Sequence, residues 1–173
     1  RGGSDVAGVP VYDTVREAVD RHQVNTSVLF VPVPAALDSV MEALSAGIGL
    51  LVLVTEHIPV HDVMKMRARA AERGAVLIGP TTPGVITPGC CKVGILPATT
   101  FCQGRVGAIS RSGTLSYEVA ADLCAAGYGQ STVVGMGADM VAGTDLSVLL
   151  EMFERDPKTD LVIIVGEVGG SQE

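Results

Sequence analysis

Residues 110–114 read Ser-Arg-Ser-Gly-Thr, between an apolar, β-branched run and a stretch with helical periodicity. An ordinary helix start is satisfied by one hydroxyl, which Ser112 or Thr114 could supply as a cap. Three hydroxyls, a guanidinium and a glycine offer more. They combine free backbone N–H groups, the positive end of a helix dipole, a residue with no side chain to hold an anion away, and the fixed charge of Arg111. This is the chemistry of a phosphate or carboxylate site, although Arg111 could instead form a structural ion pair. It is poor chemistry for a serine nucleophile. The Gly-x-Ser-x-Gly elbow is absent, and His22, His57 and His61 all precede these serines.

Two further strand-like runs end in carboxylates: Val54-Thr55-Glu56, followed by His57-Ile58-Pro59, and Val165-Gly166-Glu167, followed by more glycines. Glu56 could accept hydrogen bonds from a ligand's hydroxyl or amino groups, or serve as an acid near a helix start marked by Pro59. Glu167 could orient a catalytic group, or its glycine neighbours could simply form a tight turn. Gly135-Met136-Gly137-Ala138-Asp139 is another glycine-rich strand end and a candidate lining of the same crevice. His57 and His61 share the Glu56 corner, but with three histidines in the chain no metal cluster is expected.

The elements that must position these residues are legible in the hydrophobic pattern. Apolar runs recur at 27–31, 50–54, 75–78, 106–109, 132–136 and 161–165. Helix-like segments separate them at 14–22, 35–46, 60–73, 115–126 and 146–155. This alternation predicts βαβ units and a parallel sheet, and in that architecture ligands bind beyond the carboxyl ends of the strands. Gly47, Gly74 and Gly127 stand where a helix needs a left-handed residue to finish. From Gly79 to Gly104 the alternation lapses into a proline- and glycine-rich stretch. A domain boundary is expected near residue 100, giving units at 1–99 and 100–173, with the first part of the stretch packed against the first unit.

Of 173 residues, 47% are hydrophobic but only 3% aromatic, with no Trp and a mean hydropathy of +0.41. The core must therefore be aliphatic, which suits sheets buried on both faces. The net charge of −7 argues against a nucleic-acid or anionic-membrane partner. No apolar run approaches the ~20 residues of a membrane span, and the first residues do not resemble a signal peptide. The four cysteines, Cys90, Cys91, Cys102 and Cys124, lack zinc-ligand spacing and are expected to be reduced, structural thiols.

Several stretches, taken in order, resemble one family. "IGPTTPGVITPGCCKVGI", "SRSGTLSYE", "GTDLSVLLEMFERDP" and "GEVGG", with "GVPVYDTVREAV" and "VTEHIP" upstream, are similar to the α subunit of succinyl-CoA synthetase (succinate–CoA ligase) within the CoA-ligase superfamily. The resemblance covers essentially the whole chain. It implies an α/β protein with a Rossmann-like CoA-binding domain followed by a flavodoxin-like ligase domain. It further implies joining of a carboxylic acid to coenzyme A through a phosphohistidine and an acyl phosphate. ATP or GTP, with Mg²⁺, would be held by a β subunit, in the cytoplasm or, in a eukaryote, the mitochondrial matrix.

Carried over by position, Arg1 matches a basic CoA contact, and Val54, Thr55 and Glu56 match a second CoA-contacting stretch. Ser112, Gly113 and Thr114 match the helix start that receives the phosphate. Tyr117 matches a substrate-contacting position near the subunit interface, and Glu167 the carboxylate that orients the catalytic histidine. The family's glycine-rich CoA loop would precede Arg1, and its Gly-His-Ala-Gly histidine would follow Glu173. An internal fragment, inactive alone, is therefore expected. Ala138, Thr81-Thr82 and His57 depart from the family's Gly-Gly-Asp-Pro, Asn-Cys and glycine, leaving malate, citrate or another carboxylate open beside succinate. Two alternatives stand beside the ligase: a non-catalytic CoA- or nucleotide-binding regulator, and an acyl-CoA or carbamoyl-transfer paralogue.

Overall fold

The computed structural model describes residues 2–167. The chain opens with a short hairpin, β1 (Asp5–Val6) and β2 (Val9–Pro10). Next comes α1 (Val15–Arg21), where Thr14 Oγ1 accepts from Glu17 N–H while the Glu17 carboxylate accepts from Asp13 N–H, a reciprocal start of the capping-box kind. The first parallel sheet follows from β3 (Thr26–Leu29), α2 (Val33–Ala46), β4 (Leu50–Leu53), α3 (Val60–Glu72) and β5 (Val76–Ile78), in the order β3-β4-β5. α2 stops at Gly47, whose φ of 94° is the left-handed conformation a side chain would resist.

The second unit contains β6 (Gly84–Thr87), β7 (Cys91–Gly94), a 3-10 turn (Ala98–Thr100), β8 (Gln103–Ser110), α4 (Gly113–Ala125), β9 (Gln130–Gly135), α5 (Leu146–Glu154) and β10 (Leu161–Val165). Its five strands lie in the order β10-β8-β9-β6-β7. β10, β8 and β9 are parallel, while β6 runs antiparallel to both β9 and β7. Every predicted strand and helix is present, with β8 longer than its apolar run.

Two expectations are corrected. The stretch from Gly79 to Gly104 holds a β-hairpin, and it makes the second sheet mixed, not wholly parallel. Gly84 pairs with Gly94 in register, and a Cβ on Gly84 would lie 2.1 Å from Val93 O, so the two backbones meet only because both residues lack side chains. The expected boundary near residue 100 falls after this hairpin. Residues ahead of the hairpin touch the first unit, with Thr81 N–H donating to Thr55 O at 3.1 Å. The second correction concerns the cysteines. Cys90 and Cys91 are exposed free thiols, but Cys102 and Cys124 form a disulfide. α4 returns its last turn to the start of β8 and brings the two Cα atoms to 5.8 Å, within the span a disulfide bridges.

The unbroken apolar runs are explained by the two-sided burial of the first sheet. Leu51, Leu53 and Leu77 join the core under α2 and α3. Val52 and Ile78, one residue out of phase, join a second core with Ile109, Val134, Leu149 and Phe153. Strand residues alternate faces, and here both faces are apolar because each covers a core. Leu53→Ala is expected to lower unfolding free energy by about 3 kcal/mol, since fully buried leucines lose both transfer energy and packing. Urea denaturation checks this, and a loss below about 1 kcal/mol would mean that the site collapses around the deletion.

A connection from β9 to α5 clamps the units together. Leu77 N–H donates to Thr144 Oγ1 at 3.1 Å, and that hydroxyl donates to Leu77 O at 2.9 Å. Gly143 N–H donates to Gly79 O at 2.8 Å, and Arg67 of α3 forms a two-pronged ion pair with Asp145, the residue that opens α5.

Candidate functional site

The carboxyl ends of β4, β8 and β10 converge on a cleft of about 360 Å³ between the two units. From β4 come Val54 and Glu56; from the β8–α4 junction come Arg111, Ser112, Gly113 and Tyr117; after β10 comes Glu167. Residues predicted from three separate stretches of sequence thus share one crevice.

At the β8–α4 junction the geometry leaves donors open. Ser112 is the helix cap, in extended conformation, and its Oγ accepts from Leu115 N–H at 3.5 Å. The Ser110 hydroxyl, buried, donates to Ser112 O at 2.6 Å and fixes the entry into the helix. The N–H groups of Gly113 and Thr114 lie in the first turn, where a helix offers no internal acceptor. A Cβ on Gly113 would meet nothing within 4 Å, so that side of the backbone is open. Thr114 is exposed and does not line the cleft.

Arg111 is 7% exposed. Its Nη2 donates to Ala138 O at 3.2 Å and Asp139 O at 2.7 Å, binding the loop after β9 to the cleft. The Asp139 carboxylate accepts from Thr81 Oγ1 at 2.7 Å, so the loop is held from both units. A buried cation that lines the same cleft as the open Gly113 amide adds to the helix dipole in favouring an anion.

Glu56 is exposed and lies before the Pro59 cap of α3, whose first turn takes its acid from Asp62. The capping role considered for Glu56 therefore falls to another residue. His57 follows at φ 60°, and its Nε2 lies 3.9 Å from a Glu56 carboxylate oxygen. Thr55 turns away from the cleft: its hydroxyl donates to Val31 O at 2.6 Å and ties the exits of β3 and β4. Tyr117 meets Phe101 edge-on, with ring centroids 6.4 Å apart. Arg1 lies outside the described residues, as do the glycines at 169 and 170 that follow Glu167.

Pro83 and Ile95 also line the cleft, and sequence reasoning missed them. Both belong to the β6–β7 hairpin, where Ile95 N–H donates to Pro83 O at 2.8 Å; the signal available was the Pro-Gly punctuation. Away from the cleft, the Arg105 guanidinium on Asp160 holds that carboxyl below its ordinary value. Among the described residues no group of three or more His, Cys, Asp or Glu is placed to hold a metal ion. No described helix is long and apolar enough to cross a membrane.

Residues 1–57 match the family model for the CoA binding domain, and residues 109–173 the model for CoA-ligase. The chain is 54% identical over 173 residues to the succinate–CoA ligase [ADP-forming] subunit alpha 2 of Archaeoglobus fulgidus. It is 49% identical to the corresponding alpha subunit of Methanothermobacter thermautotrophicus. All of this chain is covered in both matches, which span 60% and 59% of those relatives. In fold, it is similar to ATP citrate lyase from Methanothrix soehngenii, with a TM-score of 0.84 at 24% identity, over 90% of this chain and 27% of that one. The dinucleotide-forming acetyl-coenzyme A synthetase 1 of Ca. Korarchaeum cryptofilum gives 0.77 at 24% identity, over 92% and 35%. A CoA-binding and a CoA-ligase domain are thus matched in this order, and the chain is similar along all of its residues to succinate–CoA ligase alpha subunits while spanning about 60% of their length.

Proposed function

We propose that this chain supplies the α-subunit part of an NTP-dependent acid–CoA ligase, of the ADP-forming succinate type, that works with a β subunit. The observation that supports it most is the single cleft joining Glu56, the opening of α4 and Glu167. Each comes from a different strand end, and each suits a different part of one reaction.

Coenzyme A fits the wall formed by Val54 and Glu56, which Thr55 braces from outside the cleft through Val31 O, with Arg1 as a further contact. The exposed Glu56 carboxylate can accept from the ligand's hydroxyl or amino groups, and the bound molecule supplies the thiol that becomes acylated. The Gly113 amide and the Ser112 hydroxyl, which line the cleft, receive the oxygens of a phosphoryl group, with the Thr114 amide beside them in the same open first turn. They are preorganised by the cap, so little rearrangement accompanies the arrival of charge, and such fixed donors are the main lever in phosphoryl transfer. Arg111, which lines the same cleft, offsets the charge. Glu167 holds the imidazole that carries the phosphoryl group, a histidine beyond this chain, and Tyr117 contacts the acid. The nucleotide and its magnesium are assigned to the β subunit, in the cytoplasm or the mitochondrial matrix.

The test uses the complete α chain with its partner. Thioester formation is assayed with nucleotide, CoA and a panel of succinate, malate and citrate, and phosphate on the chain is scored as acid-labile and base-stable. CoA binding without thioester or phosphate transfer, for every acid, would overturn the ligase in favour of a regulatory module. The same panel decides whether Ala138, Thr82 and His57 have moved preference away from succinate.

Glu56→Ala is expected to weaken CoA binding by about 10- to 100-fold, the range for losing a hydrogen bond to a charged group. Phosphorylation by nucleotide should be unaffected. Calorimetric titration of the complete chain with CoA is the check, and an unchanged Kd removes Glu56 from the site.

A further inference from the structure

The helix that opens onto the cleft is lightly anchored. α4 buries Ser116 and Ala120, whereas α2 buries Ala36, Val40, Ala43, Leu44 and Ala46. Its first turn is closed by the long Ser112 bond and its last by the Cys102–Cys124 disulfide. Between them lies Gln130, fully buried, whose Nε2 donates to Ala120 O at 3.0 Å and whose Oε1 accepts from Cys102 N–H at 3.2 Å. Its own N–H donates to Cys102 O at 2.7 Å. The disulfide thus sits on the seam where the 3-10 turn, β8, β9 and α4 meet. That seam reaches the cleft through Phe101, the neighbour of Cys102, which meets Tyr117 edge-on.

Both states of the sulfur pair are accommodated. Cys124 Sγ lies 3.6 Å from Gln130 Oε1 and 3.8 Å from Thr100 O. A freed Cys124 thiol would therefore find acceptors in place. Both cysteines are half-buried, so a small thiol reagent can reach them. In a reducing compartment, disulfides of this kind are transient and redox-sensing.

We propose that Cys102–Cys124 is a redox-sensitive strap on α4. Closed, it holds the helix's last turn against the start of β8. Open, it frees α4 to shift about its Gln130 contact, loosening the amide edge of the cleft and Tyr117 together. Opening is thiol–disulfide exchange with a dithiol. A thiolate of the reductant attacks one sulfur, the S–S bond breaks, and the other cysteine leaves as a thiolate that takes up a proton. The reductant's second thiol then displaces the mixed disulfide, leaving two cysteine thiols and an oxidised, cyclic reductant. The strap stands independently of the ligase reading; its effect on phosphoryl transfer rests on that reading.

The test compares the complete chain, with its partner subunit, before and after dithiothreitol, by thiol titration and amide hydrogen exchange. The thiol count should rise by two, and exchange in the last two turns of α4 should quicken by about tenfold or more. Cys124→Ser should exchange fast in both conditions, whereas Cys90→Ala should still respond. An unchanged thiol count, or α4 exchange that is the same in both states, overturns the strap. Phosphate labelling reads the consequence separately. A difference of about twofold or more between oxidised and reduced wild type, absent in Cys124→Ser, supports coupling to the cleft. Equal labelling with altered exchange overturns that coupling.

Discussion

Ser112→Asp in the complete enzyme is expected to cut phosphate labelling of the chain by about a hundred- to a thousandfold. A unit charge about 4 Å from an arriving anion costs up to about 4 kcal/mol at the effective dielectric of a protein surface. The fold should survive, because Asp caps helices as well as Ser does and Ser112 occupies the cap of α4. The variant therefore separates charge from structure. Ser112→Ala, which loses a cap worth about 1 kcal/mol but adds no charge, should fall between the variant and wild type. Labelling with γ-phosphate-labelled nucleotide, beside a thermal melt, is the measurement. Near-normal labelling of the Asp variant would place the phosphate somewhere else.

Glu167→Gln should lower kcat by about a hundredfold or more while leaving the Kd for CoA unchanged. A carboxylate hydrogen-bonded to a catalytic imidazole fixes its tautomer and steadies its positive form, and amide replacements at such positions keep the shape but lose that function by up to about 10⁴. Glu167 follows β10 and lines the same cleft as Glu56, and on the proposed roles one mutation should affect turnover and the other affinity. A positioning role also predicts a change in the pH profile, because the imidazole would lose a neighbouring negative charge and protonate less readily. A Glu167→Gln enzyme with wild-type turnover and an unshifted profile would make this residue a turn former only.

What could be read from the sequence depended on how each part is built. β4 and β5 announced themselves because burial on two faces makes a strand uniformly apolar, and Gly47 announced the end of α2 because the chain turns left-handed there. Strand ends could be marked as candidate sites since chemistry in open α/β sheets gathers at their carboxyl ends. The β6–β7 hairpin escaped because it is held by a glycine pair, Gly84 opposite Gly94, and residues without side chains leave no alternation to detect. Its contributions to the cleft escaped with it. Cys102 and Cys124 are 22 residues apart, and only the return of α4 along β8 makes them neighbours.

The paired bonds between Thr144 and the backbone of Leu77 have a consequence for dividing the molecule. β5 is an outer strand, and a threonine hydroxyl stands where another strand's amide and carbonyl would otherwise dock. A truncation ending near residue 100 would strip away that plug and uncover Val52 and Ile78 at the same time. Such a piece would present raw edge and greasy face together, a template for sticking to copies of itself.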